Sequence, residues 1–376
     1  MTRLVRWFGL SVVMAALVIA AAVPAQAAHE QESTSNTALF VQTNDPGGNR
    51  IDAFQRNSDG TLRFVNSYAT GGKGGRESGA TSDPLASQGS LVRVPGTELL
   101  LAVNAGSNTI SVFHVDGNHL MLAQVLPSFG PFPVAFGMHG DLVYVLDAGG
   151  QGFISGYRVQ GNAIHPIAGS TRTLGLGNTT PPFFLSSPAE VGFTPSGRQL
   201  LVTTKTLGTI DVFSIGANGR PSAAPVKNPA AGVPFAFVFD TTGRLVMNFA
   251  GTGSLQTFTV NADGTITPVS APVSDGQAAA CWITPAKGYD YVSNTGSNDV
   301  SQFQVKSDGA VVLINPLAAT NIPGATDSRH AGDFLYVQSG SSSSVHVFQI
   351  GSGGALTRVQ IASVPDGGSQ EGIAVG

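Results

Sequence analysis

Two carboxylates and one ammonium, Glu190, Glu371 and Lys205, are the side chains on which catalysis can be built. A carboxylate can serve as general base for water attacking a ring ester, and an ammonium can stabilise the oxyanion that forms. Paired carboxylates also suit glycosidic chemistry. Each residue has a plainer use. An isolated carboxylate caps backbone amides or sits in solvent, and Lys205 can pair with Glu190 as readily as with a substrate carboxylate. Metal chemistry has less support. The seven histidines (29, 114, 119, 139, 165, 330 and 346) are scattered, and none shows His-x-x-x-His or His-Glu-x-x-His spacing. The single cysteine, Cys281, lies between Ala278-Ala279-Ala280 and Trp282, an apolar setting that predicts a buried, inert thiol. The chain has no Gly-x-Ser-x-Gly elbow, Walker loop or dinucleotide fingerprint, so neither a metal nor a cofactor is expected.

Composition limits the class of protein. The 376 residues include 48 Gly and 22 Pro, and only 11% are charged, against the usual quarter or so in a soluble domain. Yet 42% are hydrophobic, enough to build a large core. A net charge of −4 argues against nucleic acid, which needs a basic face to neutralise phosphates. Residues 1–27 read as a secretory signal peptide: Arg3 and Arg6 open it, Trp7 to Val23 is apolar or small, and Ala25-Gln26-Ala27 supplies the cleavage pattern. Residues 28–37 then form a flexible N-terminal segment, and 38–376 the folded domain. The expected location is secreted or periplasmic, without membrane embedding once the signal is removed.

The elements that must position the candidate residues come from a repeat. Seven times an apolar strand, a Gly/Asn/Ser turn, a second apolar strand with an aromatic and a Gly-containing hairpin follow one another. The second copy reads Leu99 to Asn104, Ala105-Gly106-Ser107-Asn108, Thr109 to Phe113 and Asp116-Gly117; the sixth, starting at Tyr291, ends at Asp308-Gly309. The aromatic anchors are Phe54, Phe113, Tyr157, Phe213, Phe258, Phe303 and Phe348, and the last three intervals are 45 residues each. Several strands per unit at that period predict an all-β, seven-bladed propeller. Another strand precedes each pair except the first, and Gly372-Ile373-Ala374-Val375 is left over at the end. The C-terminal strand is therefore expected to complete the N-terminal blade and close the ring, removing an exposed edge.

In such a ring, ligands lie over the central channel, on the face carrying the blade-to-blade loops. The longest of these loops are 66–89 and 169–187. First strands end there at Asn104, Asp147, Lys205, Asn248 and Asn294, and inner strands contribute Gln88, Glu190, Asp327 and Glu371. Glu190 and Lys205 are the catalytic candidates; Gln88, Asn104, Asp147, Asn248, Asn294 and Glu371 are the ligand-binding candidates. The rim is poor in cations, which disfavours a phosphosugar. The expected partner is a small molecule or a protein at this face.

The Ile110-Ser111-Val112-Phe113 strand, the Asp-Gly hairpins, the Thr194-Pro195-Ser196-Gly197-Arg198 turn and the terminal Gly-Ile-Ala-Val strand resemble the lactonase-type seven-bladed propellers, over about 38–376. That family includes a bacterial 6-phosphogluconolactonase and carboxymuconate-cyclising enzymes. The resemblance implies a catalytic His at the start of the inner strand of blade four, with an Arg and a Glu in blade five. Here those positions fall on Ala189, Phe235 and Phe249. The expectation is an exported lactonase-like propeller that binds but has lost the usual catalytic set. The alternative is a working lactone hydrolase or cyclase using Glu190 and Lys205 as substitutes.

Overall fold

The computed structural model describes residues 1–2, 37–368 and 370–376. The expected signal peptide and the 28–37 segment fall almost wholly outside them. Seven antiparallel sheets follow one another, five of four strands and two of five. Blade one is Ala38–Gln42, Arg50–Arg56 and Leu62–Ala69, completed on its inner side by Ile373–Val375. Phe40 pairs with Ala374 and Val41 with Ile373, so the C-terminal strand closes the ring as the repeat predicted. Blades two to seven begin with inner strands at Leu91–Arg93, Pro133–His139, Pro188–Phe193, Pro234–Phe239, Ala280–Ala286 and Ala325–Ala331. Among the described residues no helix is long and apolar enough to cross a membrane.

Period-two alternation explains why the middle strands are apolar on both sides. Successive side chains of Leu99–Asn104 point to opposite faces. Leu100 packs toward blade one with Phe40 and Ile51, whereas Leu101 packs toward blade three with Phe136 and Tyr144. Phe113 and Val112 on the next strand divide the same way. Each fully buried Leu or Phe contributes about 1.5–3 kcal/mol, so one strand cements two blade interfaces. All seven aromatic anchors are buried.

The Gly-containing hairpins are also clamps. Tyr144 donates its hydroxyl to the Gly219 carbonyl at 2.6 Å, Tyr291 to Gly354 at 2.6 Å, and Tyr336 to Gly60 at 3.1 Å. In each case a strand of one blade grips the hairpin of the next. Gly60 has φ of 81°, and a Cβ there would lie 2.2 Å from the Phe334 ring. Only glycine meets both demands.

The outer strands modify two expectations. Leu62–Ala69 takes residues 66–69 from the expected 66–89 loop, and within the expected 169–187 loop a short strand at Arg172–Thr173 pairs with Phe153 and Ile154.

Candidate functional site: the covered channel mouth

Inner strands run from the face carrying the blade-to-blade loops to the opposite face, so their first residues surround one channel mouth. That mouth is covered by the chain itself. After blade one the backbone follows the ring: Gly74 N–H donates to the Asp45 carbonyl at 2.9 Å, and Gly106 N–H donates to the Lys73 carbonyl at 3.0 Å. It then zips onto the other long loop. Ser78 N–H donates to the Pro182 carbonyl at 2.8 Å, and Phe184 N–H to the Ser78 carbonyl at 3.1 Å. Next it touches blade seven, where the Ser82 and Ser341 hydroxyls share a 2.7 Å hydrogen bond. The two loops singled out by length form one lid.

From the lid, Leu85 to Gln88 descends into the channel and bonds to blades around the ring. Ser87 donates its hydroxyl to the Val134 carbonyl of blade three at 2.8 Å. Gln88 N–H donates to the Ala189 carbonyl of blade four at 3.0 Å. Trp282 of blade six donates its indole N–H to the Ser87 carbonyl at 2.8 Å, and Ile283 N–H donates to the Gln88 side-chain carbonyl at 3.0 Å. Leu85, Ala86, Ser87 and Gln88 are all buried. Ala86 adopts φ of 46°, a conformation costly for a residue with a Cβ, and the surrounding bonds hold it there.

The candidate residues are used in holding this segment. Glu371 accepts N–H bonds from Leu85 at 2.7 Å and Ser87 at 2.9 Å. Burial, with the charge of Asp83, pushes its carboxyl up to about 8. Lys205 is buried and donates to the Ala86 carbonyl at 2.7 Å, with its ammonium 5.3 Å from the centre of the Phe235 ring. It also favours the charged forms of Glu77 and Asp83, whose pKa values burial raises, in Asp83 to about 6. Glu190 is half-buried, accepting from Phe237 N–H at 2.6 Å and from the Gln88 amide at 3.4 Å. Burial raises its pKa well above the ordinary carboxylate range, although the Phe237 N–H and Arg329 act the other way. Glu190 and Lys205 thus sit under the same segment, each with its own partner, and the Glu190–Lys205 ion pair, one of the two readings of Lys205, is not formed.

The other rim positions are buried clasps. Asn104 accepts from Asn49 and Thr70 and donates to Ser111. Asn248 accepts from Ala236 N–H and donates to the Cys281 carbonyl at 2.7 Å, tying blade five to six. Asn294 donates to Asp299 and Ser301. Asp147 is fully buried, and burial drives its pKa strongly upward. Asp327 pairs with Arg329 at 3.1 Å. Cys281 is buried, and burial pushes its thiol pKa up, in keeping with an inert group. Among the described residues no three His, Cys, Asp or Glu side chains converge as a metal-ligand set.

The positions implied by the resemblance are buried and apolar. Ala189 gives only its carbonyl to Gln88. Phe235 packs edge-on against Trp282, ring centres 5.1 Å apart, and Phe249 packs against Phe258. Sequence reasoning found these residues but not the segment above them. Glu77 and Asp83 were also missed, because their burial arises only when the loop folds back.

Seven blades of this topology, closed by the C-terminal strand, coincide with a sequence match: residues 256–369 fit the family described as Lactonase, 7-bladed beta-propeller. The chain is a lactonase-like seven-bladed β-propeller. Among solved structures, the periplasmic gluconolactonase of Pseudomonas aeruginosa is similar to the propeller with a TM-score of 0.68, at 15% identity over 90% of this chain and 98% of its own. A protein of Bacteroides fragilis provisionally assigned as a 6-phosphogluconolactonase gives 0.66, at 17% identity over 91% and 99%. Virginiamycin B lyase of Staphylococcus aureus, an inactive variant with quinupristin, gives 0.53, at 14% identity over 74% and 85%. At these identities the likeness is one of fold. No curated protein sequence matches the propeller.

Proposed function

We propose that the propeller is an exported binding protein that takes a small molecule or a protein over its central channel without running lactonase chemistry. The observation that carries this reading is the Leu85 to Gln88 segment, which occupies the mouth where a substrate would lie and bonds to blades three, four and six. Three further points support it. Glu371 spends both oxygens on backbone amides, and a carboxyl raised to about 8 is mostly neutral at pH 7, hence a poor base there. The implied His, Arg and Glu positions hold Ala189, Phe235 and Phe249. The lid presents the exposed apolar side chains Phe183 and Leu185, and the blade-four turn that bonds to it adds Leu207. Export is supported by the basic start, apolar run and Ala-x-Ala pattern of residues 1–27.

A second reading is hydrolysis of a sugar lactone, favoured by Glu190. It is half-buried, and burial raises its pKa above the ordinary carboxylate range, the direction in which a carboxyl becomes a better proton acceptor when ionised. The Pseudomonas neighbour is itself a gluconolactonase. In this reading the lid lifts, Glu190 takes a proton from water attacking the ring ester, and Lys205 leaves Ala86 to face the oxyanion. A panel of aldonolactones, assayed with the chain and with Glu190→Ala, separates the two. Rates equal to the uncatalysed blank support binding alone; turnover that Glu190→Ala abolishes overturns it.

A further inference from the structure

A cavity lies at the opposite mouth of the channel, where the inner strands end. It measures about 510 Å³, within the usual range for small-molecule sites, and is lined by residues of blades three to seven. Its wall is mostly apolar, with Phe193, Val238, Phe239 and Val246 among its members, and Tyr289 adds a third aromatic ring. Into this wall Asp290 brings a carboxyl that is 92% buried and that, among the described residues, has no hydrogen-bond or ion-pair partner.

The other charges around the cavity are accounted for. Asp240 accepts from Arg244 Nε at 2.8 Å and from the Thr242 and Arg244 N–H groups. Lys287 is paired with Asp333 at 2.7 Å, and Asp333 also feels His330. His139 lies against Phe193, ring centres 5.9 Å apart. Asp290 is therefore the acid in this cavity that no described side chain answers. A lone buried carboxylate is costly unless a cation joins it, and aromatic rings around it favour a cation as well.

We propose that this cavity is a second binding site, selective for a small organic ammonium ion with an apolar body. The ammonium pairs with Asp290 while the body fills the space between Val238, Phe239 and Val246. The site is separate from the lid and holds whichever reading of the lid-covered mouth is correct. Without ligand, burial and the neighbouring Asp240 charge raise the Asp290 carboxyl to about 7. Affinity therefore rises with pH from 5.5 to 8, as the carboxyl ionises, and the charges of Asp240, Lys287, Asp333 and His330 set the background.

Calorimetric titration of the full chain with phenethylamine, which is a cation throughout this range, tests the site. The expected results are saturable binding at pH 8, at least tenfold weaker binding at pH 5.5, and at least tenfold loss in Asp290→Asn. Phenylacetate, of similar size and opposite charge, should not bind. Asp290→Asn keeps the shape and removes only the charge. If that variant does not fold, the pH series and phenylacetate decide on the parent chain. No binding of phenethylamine, equal binding at the two pH values, retained binding in Asp290→Asn, or phenylacetate binding as tightly would each overturn the proposal.

Discussion

Trp282 of blade six donates its indole N–H to the carbonyl of Ser87 at 2.8 Å, tying the lead-in of blade two to the far side of the ring. This bond spans 195 residues of sequence and crosses the channel. Trp282→Phe keeps the ring against Phe235 but leaves a buried carbonyl without its donor. The expected cost is about 1–3 kcal/mol in denaturant unfolding, with faster amide exchange at 85–88. Unchanged exchange there would mean the bond does not hold the segment.

Glu371 should be more sensitive. Glu371→Ala strands the N–H groups of Leu85 and Ser87 in a buried site, so the loss should reach about 2–4 kcal/mol. Glu371→Gln retains one acceptor oxygen and should lose less. Chemical denaturation of the two variants checks the order, and equal losses would contradict it.

The pH dependence of stability follows from raised carboxyls. Glu371, Asp290 and Asp83 move from ordinary values of 4.5, 3.8 and 3.8 to about 8, 7 and 6. Between each pair of values the native state keeps a proton that the unfolded chain has released. Stability therefore falls as pH rises through this window, by about 1.4 kcal/mol per pH unit for each retained proton. The exposed carboxyls Asp59, Asp263 and Asp333 are shifted down and act only below about pH 4. Unfolding midpoints measured from pH 4.5 to 8 should decline steadily; a rise over that range would contradict the assignment.

Ring closure gives a fourth expectation. Removing residues 373–376 uncovers the inner edge of blade one at residues 39–41 and takes away the buried Ile373 and Val375. At about 1.5–3 kcal/mol per side chain, plus the lost strand pairing, the truncated chain should lose at least about 4 kcal/mol and associate through the open edge. Light scattering and thermal unfolding check this; a monomer of parental stability would contradict it.

The blade count was legible because it rests on local chemistry. A buried aromatic such as Phe303, and a Gly at positive φ such as Gly309 six residues on, mark the hairpin between the second and outer strands. Outer strands were harder to read. His119–Pro127 alternates weakly and leaves Met121, Leu122 and Val125 exposed, so its pattern resembles a loop. The covered mouth was not legible at all. Nothing near Leu85 in sequence announces Glu371, 286 residues away, and the rim residues were read as open although Asn248 and Glu371 are fully buried. The Asp290 cavity escaped for the same reason, since five blades must come together to enclose it.

The most direct test of the central claim asks whether the covered mouth conceals an active site. A Cβ on Gly340 would lie 1.9 Å from the Ser82 carbonyl oxygen, so Gly340→Ala should pry the lid from blade seven. Hydrolysis of D-glucono-1,5-lactone can be followed by pH-stat for the full chain, for Gly340→Ala and for Gly340→Ala with Glu190→Gln. A binding propeller without lactonase chemistry gives the blank rate in all three. Turnover by the parent or by Gly340→Ala, abolished by Glu190→Gln, would contradict it.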